Sequence, residues 1–269
     1  MAMSFAGVPS LRATRSQHVL VGGVLLVAAA ASWSQLVGNA ESDPGADAEL
    51  FLGMWLAMVG AMMLPTIEPM LAAYAALTRP LPLAARITRT AAFVVPYLTI
   101  WLTAGGLALA LRSVALDRPI VAAALIAAAG LYQLGALKDA CLRSCRNPLS
   151  FFLRHGGKAG STAGALRMGL RHAALCFGCC VGLMVALAGA GATEVTWMAA
   201  LGLLMLLEKV HRYGRELSRG AGVLLLLIAP LTLVVPPMGD VARLTGLMAL
   251  GALAIVALVV SVPRRAAAI

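Results

Sequence analysis

The sequence predicts an all-α fold, a polytopic bundle of transmembrane helices, and three observations predict it. Hydrophobic residues make up 61% of the 269-residue chain and charged residues only 12%, whereas a soluble domain is nearer half apolar and a quarter charged. The mean hydropathy of +0.91 agrees. The apolar residues are gathered into runs long enough to cross hydrocarbon, which takes about 20 residues at a helical rise of 1.5 Å. Lysine and arginine fall in alternate gaps between those runs. Lipid offers the backbone no hydrogen-bond partners, so each crossing segment must be helical.

Eight runs are readable in order. The first covers about 19–37 and the second 50–77, with Pro65 and Pro69 inside it. The third covers 91–111, the fourth 120–137 and the fifth 175–192. The sixth, 195–207, is short for a span; the seventh covers 221–235 and the eighth 244–260. With the N-terminus inside, only Arg112, Arg118 and Arg243 of the 21 basic residues fall on the outer side, together with the acidic stretch Glu41, Asp43, Asp47 and Glu49. That is the positive-inside pattern. It places both termini in the cytoplasm and divides the chain into a tail 1–18, a single transmembrane domain 19–262 with a basic cytoplasmic loop 138–172, and a tail 263–269. The first run is longer than the roughly 7–15 residues of a signal-peptide core, so it is expected to be an uncleaved anchor.

The net charge of +10 belongs, on this reading, to loops beside anionic lipid. Nucleic acid is not an expected partner, because no basic stripe is interleaved with aromatics and only 5% of residues are aromatic. The chain holds no Ser-His-Asp constellation and no paired carboxylates suited to hydrolysis. The glycine-rich stretch Gly156-Gly157-Lys158-Ala159-Gly160-Ser161-Thr162 lacks phosphate-loop spacing, so it reads as a connector and ATP-driven pumping by this chain is not expected.

Chemistry concentrates between Asp139 and Val181. The five cysteines are Cys141, Cys145, Cys176, Cys179 and Cys180, none in the first half of the chain. This clustering is unlike a disulfide framework spread over a secreted fold. If the fourth helix continues past its run, Cys141 and Cys145 lie on one face, about 6 Å apart. Downstream, His172, Cys176 and either Cys179 or Cys180 share a helical face. Soft ligands thus stand at both ends of one cytoplasmic loop, where thiols stay reduced. Thiolate and imidazole favour Cu(I), with Zn²⁺ second, while Mg²⁺ and Ca²⁺ prefer oxygen. Lys138, Arg143, Arg146 and Arg171 nearby favour the thiolate form.

The second run offers another candidate site. Met54, Met58 and Met62 recur every four residues, flanked by Met63 and Met70. Thioethers suit Cu(I), although methionine also simply fills gaps between helices. Glu68 lies between two prolines expected to break the helix and open a cavity. Glu208 is expected to pair with Lys209 or Arg212, and His155 and His211 carry no distinct signal.

These residues resemble a bacterial family of predicted metal-binding integral membrane proteins of uncharacterised function. The resemblance runs from about Met54 to Gly214. It is carried by Ala61-Met62-Met63-Leu64-Pro65, by Cys141-Leu142-Arg143-Ser144-Cys145-Arg146-Asn147-Pro148-Leu149, by Gly164-Ala165-Leu166-Arg167-Met168-Gly169, and by His172 with Cys176, Gly178-Cys179-Cys180 and Leu183-Met184. Thr66, Ala173, Leu175 and Val181 depart from the family pattern and spare every sulfur and the imidazole. The resemblance implies metal binding in a bacterial inner membrane.

The leading expectation is therefore a multi-pass protein that delivers, sequesters or transports Cu(I). Its ligands are Cys141, Cys145, His172, Cys176, Cys179 and Cys180, with a deeper site at Met54, Met58, Met62, Met63 and Glu68. Its partners would be the bilayer, the ion, a copper enzyme or chaperone, and further copies of the chain. Two alternatives stay open. Cys176-Phe177-Gly178-Cys179 has the spacing of a dithiol redox protein or sensor, without the βαβ setting that makes the motif persuasive. A non-catalytic membrane scaffold is the other.

Overall fold

A computed structural model of the chain describes residues 15–39, 47–111, 119–155, 161–189 and 195–233, together with residue 249. Among them there is no strand. The helices are α1 (Arg15–Gly38), α2 (Ala48–Thr78), α3 (Leu83–Leu111), α4 (Pro119–Leu134), α5 (Ala136–Cys145), α6 (Pro148–His155), α7 (Thr162–Gly189), α8 (Val195–Val210) and α9 (Gly214–Ile228), the last running into a 3₁₀ turn, Ala229–Leu233.

Among the described residues, five helical stretches are long and apolar enough to cross a membrane: α1, α2, α3, α7, and α9 with its 3₁₀ turn. A sixth is added if α4 and α5 are taken together. The expected sixth run is the helix α8, but its 16 residues reach only about 24 Å, short of the roughly 30 Å of hydrocarbon. Apart from residue 249, the expected eighth run, 244–260, lies outside the described residues, as do most of the first tail and all of the last.

The described chain divides into two compact units. The first contains α1, α2, α3, α5, α6 and α7 as far as Val181. Asp47 starts α2, its carboxylate accepting from the Glu49 backbone N–H at 2.9 Å. The break expected at Pro65 and Pro69 does not occur; α2 runs through both. Each proline removes one helical hydrogen bond without ending the helix, and Thr66 Oγ1 donates to the Met63 carbonyl at 2.8 Å. Packing against α1, α3 and α6 holds the remaining ladder in place.

The stretch 138–172, expected as a loop, is mostly helical, and local caps explain why. Gly135 adopts φ −75° and ψ 151°, which ends α4 and starts α5. The expected continuation of the fourth helix to Leu137 and beyond is therefore interrupted here. Asn147 Oδ1 accepts from the Ser150 N–H at 3.1 Å and starts α6, with Pro148 at its first position. Ser161 Oγ accepts from the Gly164 N–H at 3.0 Å and starts α7. An aromatic core forms where α2, α3, α6 and α7 meet: Met70, Tyr74, Phe93, Phe151, Phe152 and Met168 are all buried there. Tyr74 stacks on Phe93 with centroids 4.6 Å apart. Gly169 makes the meeting of α7 and α3 possible, since a side chain there would run into the backbone of Phe93.

The second unit contains α4, the remainder of α7, α8, α9 and the 3₁₀ turn. Here α4 and α9 approach through facing glycines. A Cβ on Gly130 would come within 2.9 Å of the Gly222 carbonyl, and one on Gly222 within 2.9 Å of Gln133 Cβ. Gln133 Nε2 donates to the carboxylate of Glu208 at 2.9 Å, with both side chains buried. Gln133, 75 residues away in sequence, thus supplies Glu208 with a hydrogen-bond partner that spacing along the chain does not announce.

Candidate metal centre

Helix α7 carries soft donors at every fourth position: Met168, His172, Cys176 and Cys180. Residues at this spacing are neighbours on one face, and all four are buried. Cys179 lies one step round the helix. The Sγ atoms of Cys176, Cys179 and Cys180 all lie within 4.8 Å of one another, and Cys179 Sγ is 3.5 Å from Cys180 Sγ. Helix α5 adds a fourth sulfur, Cys145 Sγ, at 3.7 Å from Cys179 Sγ. All five cysteines are free thiols. Cys141, four residues before Cys145, is buried and near enough to interact electrostatically with Cys179 and Lys138.

The thiols are held by the protein around them. Cys179 Sγ donates to the Cys176 carbonyl at 3.1 Å. Cys176 Sγ donates to the Tyr97 hydroxyl at 3.8 Å. His172 stacks nearly parallel with Phe93 and Tyr97, centroids 5.7 Å and 6.1 Å away, and meets Phe151 edge-on at 6.2 Å. Tyr97 thus touches both the imidazole and a thiol. Sequence reasoning missed Tyr97 and the aromatic setting, because Phe93 and Tyr97 look like ordinary apolar-run residues.

Lys138 was expected in the basic loop as one of four cations near the thiols; it is near them but fully buried, and its ammonium donates to the carbonyl of Cys179. The signal was present, since Lys138, Cys141 and Cys145 share one face of α5 at spacings of three and four residues. Of the other three cations, Arg143 and Arg171 point to the exterior, Arg143 lying 3.9 Å from Asp139.

The second expected site is placed as follows. Met58, Met62 and Met63 are buried in α2, and Met54 is half-buried. Glu68 is engaged by His18 of α1, Nδ1 to Oε1 at 2.8 Å. Nothing local in the sequence announces that pair, whose members are 50 residues apart.

Metal–thiolate bonds of about 2.3 Å place sulfurs on a shared ion roughly 4 Å apart. The separations around Cys179 are therefore close to what one ion needs. A donor set of sulfurs selects soft or borderline ions; His172, one turn before Cys176 on α7, is not in the group whose donor atoms lie within 4.8 Å of one another.

A family model described as a copper chaperone, PpoB2, matches residues 52–232. The chain belongs to the PpoB2 copper chaperone family. The matched region runs from α2 to the 3₁₀ turn and includes all five cysteines, His172, Met54, Met58, Met62, Met63 and Glu68. His18 lies outside it. No curated protein and no solved structure matches the chain. Family membership and the cysteine cluster together give this protein a copper-related, metal-binding role. The resemblance to metal-binding proteins drawn from the sequence agrees in kind.

Proposed function

We propose that this protein is a membrane-embedded copper chaperone that holds Cu(I) on the thiols of α5 and α7 and passes it to a copper protein. The observation carrying the proposal is the mutual approach of Cys176, Cys179 and Cys180 within 4.8 Å, with Cys145 of α5 beside them. His172 and Cys141 complete the ligand set. Copper is favoured over zinc because the matching family model is described as a copper chaperone; a sulfur-rich cluster by itself would suit either ion. Structural zinc sites demand a closed tetrahedron, whereas Cu(I) accepts fewer soft donors and exchanges them readily. An excess of weakly differing thiols suits transfer, in which an incoming ligand displaces an outgoing one.

Embedding in a membrane is supported by the long apolar helices, several of which bury little of their surface within the protein. In that setting the cysteines of α7 lie near the middle of a 28-residue helix, deeper than the loop site expected from the sequence. The α2 methionines, Met54, Met58, Met62 and Met63, with Glu68, are proposed as a second, weaker station for the ion.

The test is a Cu(I) titration of the full chain in detergent, anaerobic and reduced, against a colorimetric Cu(I) chelator. Stoichiometric retention that disappears in Cys176→Ser/Cys179→Ser/Cys180→Ser supports the proposal. Retention of Zn²⁺ but not Cu(I) replaces copper with zinc. A reversible disulfide among the same cysteines, with neither ion retained, moves the protein to the redox alternative.

A further inference from the structure

We infer that the cluster takes two Cu(I) ions, with the sulfur of Cys179 shared between them. The inference rests on the copper reading above and adds the number of ions and the residue that joins them.

Cys179 is the hub of the sulfur arrangement. Cys180 lies 3.5 Å away and Cys176 within 4.8 Å, both on α7. Cys145 lies 3.7 Å away on a different helix, α5, with Cys141 one turn further back. Two groups of donors thus meet at one sulfur: Cys176 and Cys180 with His172 on the same helix face, and Cys145 with Cys141. Cu(I) is satisfied by few soft donors, so five thiols and an imidazole exceed what one ion uses.

Charge favours the shared arrangement. Two Cu(I) ions each held by its own pair of thiolates carry two net negative charges. Two ions on three thiolates, one of them bridging, carry one. Burial penalises each uncompensated charge, and Cys176, Cys179 and Cys180 are buried. The ammonium of Lys138 is hydrogen-bonded to the backbone carbonyl of Cys179, the bridging residue. Each thiol that ligates gives its proton to water, and copper stays Cu(I) throughout, so no oxidant or reductant takes part.

The experiment loads the full chain in detergent with Cu(I) under anaerobic, reducing conditions. It then counts copper per chain after washing with a weak chelator and records the copper X-ray absorption spectrum. The expected result is two coppers per chain with a copper–copper scattering shell, falling to one copper and no shell in Cys145→Ser. The wild-type copper–copper shell is decisive even if that variant folds poorly: two coppers without a shell would place the second ion apart from the first, as on the α2 methionines, and overturn the shared-sulfur inference. One copper per chain, with or without a shell, overturns the shared-sulfur inference and leaves the copper reading standing. No copper at all overturns both.

Discussion

Burial decides what single polar contacts are worth in this protein. Gln133 and Glu208 form a hydrogen bond at 2.9 Å with both side chains buried. Replacing Gln133 by leucine removes a donor from a carboxylate that water cannot reach, a loss worth about 1–3 kcal/mol. The expected outcome is a clear drop in the thermal unfolding midpoint of the detergent-solubilised protein. The His18–Glu68 pair is shorter, at 2.8 Å, but its side chains are 48% and 23% exposed. Exposed pairs of this kind contribute less than about 1 kcal/mol. Glu68→Gln should therefore shift the same midpoint only slightly, and a drop as large as that of Gln133→Leu would contradict the assignment. Neither pair is readable from spacing, because each joins residues 50 or more apart that only folding brings together.

Among the elements, α4 and α9 depend on how closely their backbones approach. Gly222 faces Gln133 Cβ and the Gly130 carbonyl at 2.9 Å and 3.0 Å from a hypothetical Cβ, while Gly220, two residues earlier on the same helix, faces nothing within 4 Å. Gly222→Ala should cost about 1–3 kcal/mol through overpacking, whereas Gly220→Ala should be neutral or mildly stabilising through higher helix propensity. Comparing the two variants by thermal unfolding tests the crossing directly; equal effects would exclude it. The short helix α6 depends on its cap. Asn147→Ala removes the acceptor for the Ser150 N–H and should cost about 1 kcal/mol. The loss should be seen as faster amide exchange confined to the first turn of α6. The caps at Asn147-Pro148 and Ser161 were legible in the sequence. They went unread because the density of charge between residues 138 and 172 suggested a solvated loop.

For the whole molecule, the exposed apolar side chains set the solvent. Val19, Leu20, Val24 and Val27 on α1 and Leu224 and Leu227 on α9 are mostly uncovered by the protein. In the proposed reading lipid covers them, so the full chain should stay with the membrane fraction after an alkaline carbonate wash and require detergent for extraction. Release into the supernatant would count against embedding. Copper should also act on stability as a ligand does. At free Cu(I) a hundredfold above the dissociation constant, binding adds about 2.7 kcal/mol. The unfolding midpoint should therefore rise with copper and return when a strong chelator removes it, and the rise should vanish in Cys179→Ser.

Much of this protein was readable along the chain. Composition and apolar runs specify an all-helical protein, and α1, α2, α3, α7 and α9 cover residues that those runs marked. Part of the cysteine cluster was readable too, because cysteine spacing on a helix is a local property: Cys176 and Cys180 fall on one face whatever surrounds them. The tertiary structure alone decided which sulfurs meet. It brought Cys145 of α5 to Cys179 of α7 and left Cys179 at the centre. It buried Lys138 against the Cys179 carbonyl, where charge counting had put it in a basic loop. It set His172 among the rings of Phe93, Tyr97 and Phe151. The reason is one of range: helical periodicity orders residues three or four apart, whereas contacts between helices follow from packing between distant segments that no single stretch of sequence encodes by itself.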